Sequence, residues 1–268
     1  MSTSDTSQSP PVSAAAEPGV WPPKKDIFGV MVSMTTYEDA TARIVAAAKQ
    51  RKPSCVDFTP LNVLTDAAYD KGFRDCINQF DMTCPDGAPV WWCLNRYYDA
   101  RIPTPVTGTG TTLRVCEALA REGISVYLYG STPEVIDKLK ACLLESFPTL
   151  KIAGAESPPF RPLTPQEDEA MVRRANESGA GVFFISLGSP KQEGFAHGHR
   201  GRIQAVQMCV GAAFDFISGN KKRAPGWMQQ AGMEWVFRLA REPRRLFKRV
   251  LLGNTRFAWL LVTRRPGR

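Results

Sequence analysis

Residues 181–227 read GVFFISLGSPKQEGFAHGHRGRIQAVQMCVGAAFDFISGNKKRAPGW and hold many of the side chains that could meet a charged ligand. Two apolar runs, Val182–Leu187 and Ala205–Val210, each end at a glycine, Gly188 and Gly211. Small, polar or charged residues follow both. Buried parallel strands look like this when they deliver backbone N–H groups and polar side chains to a ligand at their C-terminal ends. Ser189, Pro190 and Gln192 read as cap, first-turn proline and capping-box partner of a new helix. A helix N-terminus beside a strand end is a natural anion site. The second run leads to Asp215 and then to Lys221, Lys222 and Arg223. The stretch reads as half of a site for a charged, nucleotide-bearing ligand. Earlier in the chain, Pro85-Asp86-Gly87 closes a short strand. The tripeptide is a strong β-turn signal, and it could equally hold a carboxylate at a strand end. Gln192 could serve its helix alone, and Asp215 could simply cap a helix or loop.

Alternating elements position these residues. A strand is expected over 27–34. A capping box, Thr35 with Glu38, opens a helix to about Lys49, which Pro53 stops. A strand over 54–62 ends in a polar turn, and one helix follows to about Cys76 or Gln79. The glycines of Thr107-Gly108-Thr109-Gly110-Thr111-Thr112 could let backbone approach a phosphate, or form a loop with a threonine cap. A helix follows to Glu122 and stops at Gly123. Strands over 124–130, 150–154, 182–187 and 204–210 then alternate with helices opened by Thr132-Pro133, by Thr164-Pro165-x-Glu167 and by residue 190. This order predicts an α/β, Rossmann-like, mostly parallel sheet with flanking helices. Ligands then lie past the strand ends, near Gly130-Ser131, Gly188-Ser189, Gly211–Asp215, Thr59–Asn62 and Asp86. No G-x-G-x-x-G joins a strand to a helix, which argues against a dinucleotide-dependent enzyme.

The chain has 268 residues and 43% hydrophobic content, enough for one large core. No apolar run approaches the roughly 18–20 residues of a membrane span. Residues 1–25, rich in Ser, Thr, Pro and Ala, read as a disordered leader without a signal peptide. Residues 26–226 read as the α/β core and 227–268 as an appendage. From Lys221 onward there are thirteen Lys and Arg against two acids. That exceeds the whole chain's net charge of +8, so the remainder is net acidic. The appendage interleaves Arg241, Arg244, Arg245, Lys248 and Arg249 with Trp235, Leu246, Phe247, Leu251 and Trp259. Basic amphipathic helices with aromatics suit an anionic membrane surface. A docked helix with a solvated basic face, or a contact in a homo-oligomer, is the alternative. No nucleic-acid module is present, so no nucleic acid is expected. Seven scattered cysteines with no C-x-x-C suit reduced, buried thiols. His197 and His199 have no companion ligands in sequence, so no metal is expected.

The blocks Pro85-Asp86-Gly87 with Pro89-Val90, GSPKQE (188–193), GAAFDFISGNKKRAP (211–225) and Glu234-Trp235 through Glu242-Pro243-Arg244-Arg245 resemble the WecG/TagA/CpsF family of bacterial glycosyltransferases. The resemblance spans roughly residues 27–250. It implies inverting, metal-independent transfer of a sugar from a UDP-sugar to a polyprenyl-diphosphate-linked acceptor, in cell-surface or extracellular polysaccharide synthesis. It also implies a peripheral place on the inner face of the plasma membrane. Asp86 takes the place of the family's general base. Thr59 and Asn62 stand near its Thr/Asn pair, with looser spacing. Gln192 matches the pocket glutamine and Asp215 the aspartate near the nucleotide. Arg241, Arg244 and Arg245 match the basic appendage, while Ser189 and Arg223 fall within the shared blocks. The chain departs from the family around its Gly-rich turn. An arginine before the turn and an aspartate at its end are replaced by Pro105 or Thr104 and by Gly110. Arg96, Arg101 or Arg114 could stand in for the arginine. A changed substrate is one consequence, and a membrane-recruited scaffold without catalysis is another.

Overall fold

The computed structural model describes residues 20–222, 224, 225, 228, 234–241 and 243–266. Of residues 234, 235, 238, 241, 243–246, 248 and 249, only the backbone is described. The centre is a six-stranded, all-parallel sheet. Its strands are β3 (Ser54–Thr59), β4 (Met82–Pro85), β5 (Val126–Gly130), β6 (Ile152–Glu156), β7 (Val182–Ser186) and β8 (Val206–Cys209), in the order β4-β3-β8-β7-β5-β6. The expected α/β class and parallel sheet are what the chain adopts.

Both faces of the sheet are covered, so its strands are apolar along nearly their whole length. Val56, Phe58, Val126, Leu128, Val182, Phe184, Val206 and Met208 face one core. That core is shared with α1 (Tyr37–Lys49), α5 (Gly108–Glu122) and α6 (Pro133–Ser146). Cys55, Tyr127, Tyr129, Phe183, Ile185 and Cys209 face the other, under α7 (Pro165–Glu177) and α8 (Lys191–Gly198). The alternation follows from side chains pointing to opposite faces of a strand. The Thr164/Glu167 capping box of α7 forms as expected.

Three expectations need correction, and one helix is added. The single strand over 27–34 is a hairpin, β1 (Lys24–Ile27) and β2 (Val30–Ser33), turned at Phe28 and Gly29 with φ of 59° and 89°. A bulky residue at positive φ leaves no turn signature in the sequence. The cap of α1 is Thr36, which accepts from Asp39 N, and not Thr35. One expected helix is two, α2 (Leu61–Tyr69) and α3 (Lys71–Asn78), because Asp70 takes extended backbone and caps the second. Residues 88–98, not assigned from sequence, form α4 (Ala88–Tyr98). In addition, Trp21 already packs on the main core and Lys24 opens β1, ahead of the expected boundary at 26.

The hairpin flanks β4 through side chains: Ser33 Oγ accepts from Thr83 N at 3.1 Å, and Thr83 Oγ1 donates to Met31 O. Together with α2 and α4 it forms a second core. After α9 (Ala213–Ile217), the chain ends in α10 (Glu234–Arg241) and α11 (Pro243–Thr263). Leu260 of α11 is 1% exposed in the second core, with Phe257 and Leu261 packed against it. Arg256 pairs with Asp66 of α2 at 3.1 Å. The end of the appendage is therefore docked on the body. Leu260→Ala should cost about 2–5 kcal/mol in chemical denaturation. Trp259→Ala, at 63% exposure, should stay within about 0.5 kcal/mol.

The α1–α5 contact explains one departure seen in the sequence. A Cβ on Gly110 would lie 2.6 Å from Tyr37 Oη. That hydroxyl bonds Thr107 Oγ1 at 2.8 Å and accepts from Thr107 N at 3.0 Å. Tyr37 thus fills the space a side chain at 110 would need. Gly110→Ala should lower stability by about 1–3 kcal/mol through overpacking, and should cost less when made in a Tyr37→Ala background. Equal melting temperatures for wild type and Gly110→Ala would contradict this packing account.

Candidate active site

The C-terminal edge of β4-β3-β8-β7 gathers most of the expected site residues. Thr59 and Pro85 are register partners on β3 and β4, so Asp86 leaves the sheet beside the end of β3. Gly87, with φ 80°, is the N-cap of α4, so Pro85-Asp86-Gly87 is a strand-to-helix joint and not a hairpin-like turn. Only glycine adopts that backbone without strain, and it sends the chain straight from the strand into the helix. Thr59 is fully buried and donates from Oγ1 to Asp57 Oδ2 at 2.8 Å. Asn62 lies in the first turn of α2, directly after β3.

Gln192 is 3% exposed, and both ends of its amide are engaged. Oε1 accepts from Gly211 N at 3.0 Å, and Nε2 donates to Glu193 Oε1 at 3.1 Å. The expected capping box is absent: Pro190 is the N-cap of α8, and no side chain caps it. The Ser189–Pro190 peptide is cis. Gln192 instead ties the end of β8 to α8. Asp215 lies in α9, one short step beyond β8. Its carboxylate accepts from Asn220 Nδ2 at 2.7 Å and pairs with Lys221 at 3.4 Å, so it also closes its own loop. Arg223 lies outside the described residues. Arg241, Arg244 and Arg245 have helical backbone in α10 and α11, but their side chains lie outside the described residues.

The helix starts divide into two groups. Helices α1, α3, α5, α6 and α7 each begin with a side-chain cap: Thr36, Asp70, Thr107, Thr132 and Thr164. By contrast, α2, α4 and α8, which follow β3, β4 and β7, and the short α9 after β8 begin without one. Their first turns carry the partial positive charge of a helix N-terminus. The starts of α2, α4 and α8 lie along one edge, with β8 between β3 and β7, and make a place where an anion supplies what side chains supply in the capped helices. Helix α5 closes the edge from behind: a Cβ on Gly108 would stand 3.1 Å from Val210 O.

Two buried acids escaped the sequence reading. Asp57 and Glu193 are both fully buried. Burial, then the Glu193 charge, pushes the Asp57 carboxyl well above its ordinary range, with Asp86 adding to the effect. The signal was present in SCVDFT: an acid at an inward position of an otherwise apolar strand. Thiols surround the pair. Cys76 and Cys209 donate to the carbonyls of Glu193 and Gln192, and Cys55 to that of Ala196. Burial raises Cys55 to about 12 and Cys76 to about 11, which opposes a thiolate nucleophile.

The arginines expected to stand in near the Gly-rich turn do other work. Arg114 lies over the Tyr37 ring at 4.0 Å and donates to Gly110 O. Arg101 pairs with Asp99 on the surface. Arg96 lies 5.8 Å from the Tyr97 ring centre. The two histidines also have structural partners: His199 meets Asp168 at 2.7 Å, and His197 meets Gln79 at 3.1 Å. Among the described residues, no three His, Cys, Asp or Glu side chains are grouped as a metal site requires.

A half-buried aspartate at a strand end, a buried Thr and Gln on neighbouring elements, and uncapped helix starts together suit transfer of a group from an anionic donor. The model of the glycosyl transferase WecG/TagA/CpsF family matches residues 25–268, from β1 through the basic appendage. The match covers the whole sheet, the Asp86 joint and both C-terminal helices, and the chain belongs to the WecG/TagA/CpsF family of glycosyl transferases.

Proposed function

We propose that the protein is an inverting hexosyltransferase that moves a sugar from a UDP-sugar to a polyprenyl-diphosphate-linked acceptor. The observation that carries this reading is the joint at Asp86. Its carboxylate leaves the sheet beside Thr59, at the edge where α2, α4 and α8 begin without side-chain caps. Asp86 acts as general base on the acceptor hydroxyl. The helix N-termini face the charge that develops on the departing diphosphate. No cofactor or metal enters this scheme; charge on the leaving group is met by backbone N–H groups and by arginines of the appendage, Arg241, Arg244 and Arg245. Thr59, Asn62, Ser189, Gln192, Asp215 and Arg223 line or frame the donor site. Polysaccharide assembly at the cell envelope is the process this transfer serves.

The appendage supports a peripheral place on an anionic membrane, at the inner face of the plasma membrane. Among the described residues, no helix is long and apolar enough to cross a membrane. Opposite the face of α11 that packs on α2, Phe247, Leu251, Trp259 and Val262 are 60%, 51%, 63% and 78% exposed. Spacing of three, four and eight residues puts such side chains along one side of a helix. An apolar stripe within a strongly basic segment fits a lipid surface better than water.

Asp86→Asn should reduce UDP release from a UDP-sugar in the presence of lipid-linked acceptor by about 10²–10⁴-fold, with UDP affinity kept. Undiminished turnover in the folded variant would remove Asp86 from the role of base. UDP binding without turnover in the wild type would favour a membrane-recruited scaffold. Leu251→Ser combined with Trp259→Ser should weaken sedimentation with phosphatidylglycerol vesicles by about tenfold or more, since each buried apolar side chain is worth about 1.5–3 kcal/mol. Equal sedimentation of variant and wild type would assign the stripe to something other than lipid.

A further inference from the structure

We propose that Ser186, the last residue of β7, is a positioning residue for the donor: with Gln192 it clamps Gly211 from both sides and so sets the turn that carries Asp215 into the site. Ser186 is buried, and its hydroxyl donates to Gly211 O at 2.7 Å. Gly211 N donates to Gln192 Oε1 at 3.0 Å. The two bonds hold the peptide planes on either side of the Gly211 Cα, so both soft dihedrals of that residue are restrained. Gly211 needs such restraint: it sits at φ 57° shortly after β8, and glycine has no Cβ to choose between conformations. Asp215 follows four residues later, in α9.

The clamp closes on itself. Gln192 N donates to Gly188 O at 3.0 Å, and Gly188 lies two residues beyond Ser186. Residues 186–188, Gln192 and Gly211 therefore form one ring, joined by two side chains and one backbone bond. Gln192 is held at its other amide end as well, where Nε2 donates to Glu193 Oε1. On the far side of β7, Ser186 O accepts from Ser131 N at 3.0 Å, and Ser131 O accepts from Ser157 Oγ at 2.7 Å. Gly130 makes this approach possible, since a Cβ there would stand 2.3 Å from Ser186 O. Ser131 itself is held at φ 62°, a conformation that a serine seldom adopts. One line of hydrogen bonds thus ties the segments that follow β6, β5 and β8 to the end of β7. Ser186 is its centre, engaged through the carbonyl on one side and the hydroxyl on the other. Removing that hydroxyl leaves the strand in place and frees Gly211 O, so the loss falls on the turn and on Asp215 beyond it.

The donor role rests on the reading of this edge as a UDP-sugar site, whereas the clamp does not, and the two are tested separately. Amide hydrogen exchange on the full-length chain without nucleotide reads the clamp. In Ser186→Ala the Gly211 amide should exchange about tenfold faster, while the mid-strand Phe184 amide keeps its rate. An unchanged Gly211 rate would overturn the clamp, and so would equal acceleration at Phe184, which reports general destabilisation. UDP binding by calorimetry reads the donor role. Ser186→Ala should weaken UDP about three- to tenfold, and Ser186→Thr, which keeps the hydroxyl, should bind UDP as the wild type does. Equal UDP affinity in Ser186→Ala and wild type would overturn the positioning role, as would equal weakening in the Ala and Thr variants. A wild type that does not bind UDP would overturn the donor assignment, with the exchange rates still deciding whether Ser186 holds Gly211.

Discussion

With β4 on one edge and β8 on the other, strand β3 has no freedom of register. A slip of one residue would turn Asp57 and Thr59 toward α1 and α5, and would send Val56 and Phe58 against α8. Because both faces are covered, neither arrangement could hide in solvent. The two ladders therefore decide which polar groups meet. They put Thr59 level with Pro85, and hence beside Asp86, and they put Asp57 level with Cys209. The strand ends, the uncapped helix starts that follow them and the buried acids beneath them all inherit their positions from this pairing.

What could be read in the sequence were features whose cause is local. Alternation in SCVDFT, the apolar runs ending at Gly188 and Gly211, and the Thr164/Glu167 box all rest on residues within a few positions of one another, and all form. The features that were not legible rest on distant partners or on backbone that a side chain does not advertise. Phe28 turns a hairpin at positive φ, and its ring packs edge-on against Phe257, far along the chain, at 6.0 Å. Gln192 resembles a capping residue, yet its partner is Gly211 N, in the turn after β8. Helix α4 hides in VWWCLN because its tryptophans are as apolar as a strand would be.

Gly110 illustrates how a departure from a family pattern can be a packing event. The aspartate that usually ends the turn has no room here, since Tyr37 reaches the same space and bonds Thr107. Glycine at 110 and tyrosine at 37 are one solution, chosen together. Arg114, stacked on that ring, belongs to the same unit. The change bears on how α5 is held against α1.

Helix α2 is a strut of nine residues, about 13 Å long. One end carries Asn62 at the edge of the sheet, and the other is clamped by α11 through Arg264, which donates to Ala68 O at 3.3 Å. Between them Arg256 grips Asp66. Helix α2 thus joins the outer helix to residues 60–62, where β3 stops, as one continuous element with no loop between the two contacts.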